Sequence, residues 1–316
     1  MDGLAAAAPA LIAVVGPTAS GKSALGLRLA REHAGEIVSC DSLQVYRGLD
    51  IGSAKPTLEE RGQAPHHLLD VVEPDAVFSA ADYSRLARRA IAGITARGRL
   101  PLVVGGSGLY FRALFRGLFP GPSRDEALRE RLEAVARRLG DAGLHRLLAR
   151  ADPEAAARIA PADRVRIVRA LEVWKGTGRP LSAHLRESAG EPLRGYRSFV
   201  VGLDPGRVRL REAVEARARA MLAAGLVDEV RGLLSRGVPP AARPLGAIGY
   251  REAIGVVRGE ATADEALRDI VAATMRFAKR QMTWFRKEPS VTWFASGEQA
   301  AVAVAGFLAA DPERAS

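Results

Sequence analysis

The chain has 316 residues, 48% of them hydrophobic, and its 46 Lys or Arg against 36 Asp or Glu leave a formal net charge of +10. No window approaches the ~18 uninterrupted apolar residues of a membrane span, and a single cysteine, Cys40, excludes an internal disulfide and fits a reducing compartment. The expectation is therefore a soluble, cytoplasmic, helix-rich protein, long enough for two domains, whose basic surplus reads either as solvated arginine or as the footprint of a polyanionic partner.

In chain order, the alanine-rich start lacks the basic stretch of a secretory signal and carries Asp2. The apolar run Leu11–Val15 is of strand length, and Ala24–His33, with Leu25 and Leu29 one turn apart, reads as a helix. Between them lies Gly16-Pro17-Thr18-Ala19-Ser20-Gly21-Lys22-Ser23, which satisfies G-x-x-x-x-G-K-[ST] at every fixed position. A glycine loop between strand and helix turns successive backbone N–H groups toward one point, with the positive helix end behind them. Such a loop cradles a di- or triphosphate. Lys22 is placed to meet the outer phosphate, and the Ser23 hydroxyl to help hold Mg²⁺.

Ile37–Cys40 forms a short strand ending at Asp41. Ser79 caps a helix running to Ala96, and Leu100–Val104 is a buried strand closed by Gly105-Gly106. Alternating strands and helices imply a parallel sheet, and ligands of such sheets sit beyond the strands' carboxyl ends. The loop at Gly16, Asp41 and Gly105-Gly106-Ser107 should therefore share one edge. The Leu102–Val104 strand ends in glycines instead of the Mg²⁺-supporting acid usual in ATP-hydrolysing relatives of this loop. Asp41 consequently has three readings: a Mg²⁺ partner, a general base facing an acceptor, or the cap of a turn.

Pro120-Gly121-Pro122 then punctuates the chain, and Ser123–Ala189 carries helical patterns without a strand; Arg124–Arg197 holds 16 basic against 11 acidic residues. Val165–Arg169 opens an amphipathic helix with Arg166 and Arg169 one turn apart. Ser198–Leu203 returns as a strand, followed by long amphipathic helices over Val208–Leu234 and Ala263–Lys287. On the last, Arg276, Lys279, Arg280, Thr283 and Lys287 share one face by i, i+3, i+4 spacing, with Trp284 and Phe285 alongside. A basic face with aromatics suits a phosphate backbone, although a solvated helix with its tryptophan in the core has the same pattern. The organisation expected is an α/β P-loop core over 9–118 plus 196–296, an inserted all-helical domain over 119–195, and a tail over 297–316. Neighbouring His66 and His67 point apart and have no third ligand at metal-site spacing.

These segments together resemble the tRNA dimethylallyltransferase (tRNA isopentenyltransferase) family, from about Leu11 to Lys287. The resemblance rests on Gly16–Ser23, Asp41-Ser42-Leu43-Gln44-Val45-Tyr46 with Asp50–Pro56, Pro65–Asp70, Gly105–Tyr110, Arg169–Val173, Ile248–Glu252 and Lys279–Trp284, all in order. It implies transfer of a dimethylallyl group from dimethylallyl diphosphate to the exocyclic amine of the adenosine 3′-adjacent to the anticodon of tRNA. The diphosphate leaving group would lie on Gly16–Ser23 with Mg²⁺ at Ser23, and Thr18, Lys22 and Arg217 would steady its charge. Asp41 would be the base. Contacts to the tRNA anticodon stem-loop are implied for Asp41, Ser42, Leu43, Gln44, Ser107, Arg129, Val165, Arg166, Ile167, Val168 and Arg169. Further ones fall on Gly246, Ala247, Ile248, Gly249, Tyr250 and Arg251, and on Lys279, Arg280, Gln281, Met282, Thr283, Trp284, Phe285 and Arg286. Ser107 stands where the family usually has Thr, and Val165 where it often has Gln. A monomer is expected. The same loop also reads as ATP-binding by motif, so a small-molecule or nucleotide kinase using ATP and Asp41 is the rival; it leaves the basic helix and the insert without a task.

Overall fold

A computed structural model describes residues 8–119, 121–122, 125–187 and 190–310; Pro120, Ser123, Arg124 and Ala189, which bound the expected insert, lie outside them. The chain divides into two compact units, Met1–Phe115 with Leu193–Ser316, and Arg116–Pro192.

The first unit is built on β1 (Ala10–Val15), α1 (Lys22–Glu32), β2 (Gly35–Ser39), α2 (Leu58–Gln63), β3 (His66–His67), α3 (Ala80–Ala96), β4 (Leu100–Gly105) and α4 (Gly108–Phe115). After the second unit, which holds α5 (Glu126–Ala151), α6 (Pro153–Arg158), α7 (Arg164–Thr177) and α8 (Leu181–Glu187), the chain resumes. It adds β5 (Arg197–Leu203), α9 (Arg207–Ala223), α10 (Leu226–Ser235), α11 (Tyr250–Val257), α12 (Ala263–Phe285), β6 (Val291–Phe294) and α13 (Gly297–Ala309). All six strands are parallel, in the order β3-β2-β4-β1-β5-β6. This is the P-loop type of α/β sheet expected from the sequence.

Alternation along the strands shows how both faces are covered. Leu11, Ala13, Val15, Val38, Val103 and Val200 enter a core completed by α3, α4 and α9–α12. Ile12, Val14, Ile37, Leu102, Val104 and Val201 enter a second core under α1 and α13. A strand buried on both faces has no polar side, which is why these segments read as continuous apolar runs. The segment expected as a tail is thus a sheet helix: Ala300, Ala301 and Val304 of α13 are buried, and Phe307 stacks on Phe199 at 5.1 Å. The helix expected over Val208–Leu234 is two, separated at Gly225, where φ is 95°. A left-handed residue ends a helix, and glycine adopts that region at little cost.

The second unit closes on its own core, with Leu132, Leu144, Leu148, Ile167, Val168 and Leu171 buried between α5 and α7. α5 is interrupted at Gly140, where φ is 70°. Asp152 is fully buried and satisfied: it accepts hydrogen bonds from the N–H groups of Ala155 and Ser182 and from the Ser182 hydroxyl.

Candidate active site

The strand order places the carboxyl ends of β2, β4 and β1 side by side, and three loops meet there. After β1, Gly16 adopts φ 145°, Ala19 φ 63° and Gly21 φ 88°, and α1 begins at Lys22. A side chain at Gly16 would meet the Leu203 carbonyl oxygen at 2.8 Å, so only glycine passes β5 this closely. Gly21 caps α1 without a side-chain hydrogen bond, which leaves the first N–H groups of the helix for a ligand. Inside the loop the Ser20 hydroxyl is buried with no hydrogen-bond partner. An orphaned hydroxyl on an open phosphate cradle is the kind of group a bound anion satisfies.

After β4, Gly105 crosses the end of β2 so tightly that a Cβ there would lie 2.1 Å from the Cys40 carbonyl oxygen. The two loops are stitched by Cys40 N–H to the Val104 carbonyl at 2.7 Å and Ser107 N–H to the Cys40 carbonyl at 3.1 Å. The Ser107 hydroxyl accepts from the Ser42 N–H at 3.0 Å, so its structural use is to shape the loop that follows Asp41.

Asp41 accepts the Leu43 N–H on Oδ1 at 2.8 Å; Oδ2 has no hydrogen-bond partner among the described residues. The turn-cap reading is thus correct for one oxygen and leaves the other unbonded on a residue that lines the cleft. The Asp41–Tyr46 loop is braced from below. Gln44 accepts the Ser39 hydroxyl at 2.8 Å and donates to the Ala54 carbonyl at 3.1 Å. Glu229 of α10 gathers the N–H groups of Asp50, Ile51 and Gly52 at 3.0, 2.7 and 3.3 Å, together with the Tyr250 hydroxyl at 2.8 Å. Lys55 is buried and bonds Asp50, Asp70 and the Tyr46 carbonyl. The Asp50–Pro56 segment therefore acts as scaffold.

Facing Asp41, Lys22 is buried with its ammonium on the Pro17 carbonyl at 3.1 Å. Burial and the nearby Arg217 guanidinium push its pKa down to about 8, against the opposing pull of Asp41. Arg217, half-buried on α9, is likewise lowered by desolvation and supported by Asp41. Each cation thus senses the same carboxylate. The three side chains line one cleft of about 440 Å³ with Thr18, Ser23, Ser42, Leu43, Gln44, Ser107, Arg251 and Arg280. That size lies within the ~300–1,000 Å³ of small-molecule sites. Val214, Ala218, Met221, Ile248, Ile270 and Phe277 give the cleft an apolar wall; apart from Ile248 these were not anticipated, because they lie on α9 and α12, far apart in sequence, where apolar helical spacing reads equally as core.

Several residues anticipated as nucleic-acid contacts are instead internal. Ile167 and Tyr250 are fully buried, Val168 is 4% exposed and Phe285 is a core residue, so none of these side chains presents surface. Amphipathic helices alternate exposed and buried positions, and a contiguous motif contains both. Gln281 is buried between two loops. Trp284 packs on Phe111 and under Arg112, whose guanidinium lies 5.0 Å from its ring. Arg129 is held bidentately by Glu172 at 2.9 and 3.0 Å, and Arg169 by the same carboxylate at 2.6 Å. Arg286 pairs with Asp204 at 3.0 Å and remains exposed. Exposed, by contrast, are Val165, Arg166, Gly246, Arg251, Arg276, Lys279, Arg280, Thr283 and Lys287, so the basic face of α12 is a surface. His67 bonds Glu36 at 2.7 Å and His66 the Ala64 carbonyl at 2.8 Å. No group of three His, Cys, Asp or Glu suited to a metal occurs among the described residues. No helix among them is long and apolar enough to cross a membrane.

The family model for IPP transferase matches residues 44–288. A tRNA dimethylallyltransferase of Geobacter metallireducens is 52% identical over 285 residues, covering 90% of this chain and 91% of that protein. The one of Anaeromyxobacter sp. strain K is 53% identical over 287 residues, covering 90% and 92%. Among solved structures, the tRNA isopentenylpyrophosphate transferase of Bacillus halodurans is 40% identical with a TM-score of 0.68, covering 95% of both chains. A eukaryotic dimethylallyltransferase acting on tRNA is 25% identical with a TM-score of 0.72, covering 87% of this chain and 69% of that one.

Proposed function

Because this chain belongs to the tRNA dimethylallyltransferase (IPP transferase) family, we propose that its cleft moves a dimethylallyl group from dimethylallyl diphosphate onto the exocyclic amine of the adenosine 3′-adjacent to the anticodon in tRNA. The observation that carries this is the meeting of Asp41 with Lys22 and Arg217 over the Gly16–Ser23 loop in one cleft. The amine nitrogen bonds the allylic C1 as the C1–oxygen bond breaks, and the diphosphate leaves with the electron pair. Lys22, Arg217 and the loop amides are fixed where that negative charge grows, which is worth more than binding the neutral parts of the donor. The amine is a weak nucleophile because its lone pair is delocalised into the purine. Asp41 Oδ2 takes its proton, while Oδ1 stays committed to the Leu43 amide and holds the carboxylate in line. The target base must leave its stack to reach this depth.

Mg²⁺ fits the donor set. Ser23 lines the cleft, no carboxylate cage competes among the described residues, and Mg²⁺ in such sites draws most ligands from phosphate and water. When bound, the ion would neutralise part of the diphosphate charge. The exposed basic face of α12 and the exposed Val165 and Arg166 of the helical unit are the proposed RNA contacts, and the site as drawn is complete within one chain, in keeping with a monomer working in the cytoplasm. The ATP-dependent kinase reading loses its footing to the family.

The experiment supplies labelled dimethylallyl diphosphate and unmodified tRNA to the wild-type protein and to Asp41→Ala, with ATP and candidate acceptors in parallel. We expect label in RNA, a loss of about 10²- to 10⁴-fold in Asp41→Ala, and RNA affinity kept within a few-fold. Phosphate transfer without prenyl transfer would return the kinase.

A further inference from the structure

The Gln281 side chain spans the gap between the two loops that the proposed reaction must hold apart. Its Oε1 accepts the Thr18 N–H at 2.9 Å, and its Nε2 donates to the Gly106 carbonyl at 2.9 Å. Reversing the amide would set donor against donor and acceptor against acceptor, so the orientation is fixed by its partners. The side chain is 8% exposed, and a Cβ on Gly106 would lie 2.4 Å from Nε2, so the second glycine of Gly105-Gly106 is the space Gln281 occupies. The Thr18 amide, spent here, is withdrawn from the phosphate cradle. Gln281 arrives from α12, whose other faces carry exposed Lys279 and Arg280 and buried Ala278 and Phe285, so its backbone is anchored.

We propose that Gln281 is a positioning residue that locks the Gly16–Ser23 loop to the Gly105–Ser107 loop and thereby sets the donor-to-acceptor spacing; this rests on the prenyl-transfer reading. The Gly105–Ser107 loop in turn fixes the peptide of Asp41, through Cys40 and Ser42. Cradle and base are therefore tied by one short path: the Thr18–Gln281–Gly106 hydrogen bonds, the Gly106–Ser107 peptide bond and the hydrogen bond from Ser42 to Ser107. Small displacements between reacting groups are costly, so a strut here acts on rate as well as on donor affinity.

Gln281→Met keeps the length and loses both bonds; Gln281→Glu keeps the acceptor toward Thr18 and loses the donor toward Gly106. With dimethylallyl diphosphate and an anticodon stem-loop RNA, Gln281→Met should raise the donor KM about tenfold and lower kcat by at least as much. The RNA KM should stay within about twofold, and Gln281→Glu should fall between Met and wild type in donor KM. An RNA KM that rises while the donor KM holds would make Gln281 an RNA reader and overturn the strut. Should either variant fail to fold, hydrogen exchange on the wild type still decides. Inorganic diphosphate should protect the amides of Gly106–Leu109 as well as those of Thr18–Ser23, and protection confined to the cradle overturns the proposal. Diphosphate binding needs no turnover, so a wild-type protein that binds it yet transfers no prenyl group sinks the functional reading alone.

Discussion

Lys22 shows how the cleft stores affinity for an anion. Burial first, then Arg217, bring its pKa from 10.5 to about 8, a penalty on the charged form of roughly 3 kcal/mol. A diphosphate relieves that penalty. In the free site the ammonium is intact below pH 8 and is lost above it; the anion favours the protonated form, so binding above that pH takes up a proton. Calorimetric titration with inorganic diphosphate, corrected for the ligand's own ionisation, should therefore give a constant affinity below about pH 7 and a decline above about pH 8, approaching tenfold per pH unit. Constant affinity across the whole range would remove Lys22 as the charge partner. Lys22 and the glycine loop were legible beforehand because a phosphate cradle needs a contiguous motif, whereas Asp41 stood out only as the acid that ends its strand, and its role as base came from the family resemblance. Arg217 was legible only through family resemblance, since an arginine between Ala216 and Ala218 carries no local sign of burial.

At the level of elements, α5 and α7 show what a motif leaves unseen. Arg129 of α5 and Arg169 of α7, both expected to face RNA, converge on Glu172 of α7, a carboxylate 1% exposed, while Arg166 stays on the surface. Burial alone would raise the pKa of Glu172, but the hydrogen bonds from Arg129 and Arg169 and from the Asp125 N–H prevail and hold it at about 2. Its contribution to stability is complete above the ordinary glutamate value of 4.5 and is lost as pH falls through about 2. Glu172→Gln should destabilise the helical unit by ~1–3 kcal/mol, since it removes the buried charge that two partly exposed arginines share. Exchange of the α7 amides under native conditions would register it; exchange unchanged from wild type would mean the pair is neutral to stability. Strands β1, β4 and β5 were readable because a doubly covered strand is uniformly apolar, whereas β3 and β6 were not, being two and four residues long. Helix α13 escaped notice because its run of small and apolar residues carries no polar stripe to mark a face.

For the whole molecule, net charge and distribution separate. Of the +10 total, much of the arginine is committed to ion pairs, and the exposed run on α12 is the surplus available to a polyanion. Affinity for tRNA should fall linearly on a log–log plot against salt, with a slope of about −0.7 for each single-stranded phosphate contacted. Lys279→Ala and Arg276→Ala should each make the slope shallower by about that amount while leaving kcat at saturating RNA unchanged. A slope insensitive to both would place the RNA elsewhere. The split into two units was visible as a loss of strand patterns after residue 119, with the described boundary at Arg116 and Leu193.

The carboxylate of Glu229 reaches back 179 residues to the amides that shape the acceptor segment. During synthesis the Asp50–Gly52 amides stay unmatched until α10 has emerged, and the phosphate loop meets Gln281 only when α12 has followed. Neither half of the cleft is complete in a nascent chain before the last third of translation, so competence to hold the donor and to present a base to an adenosine arrive together.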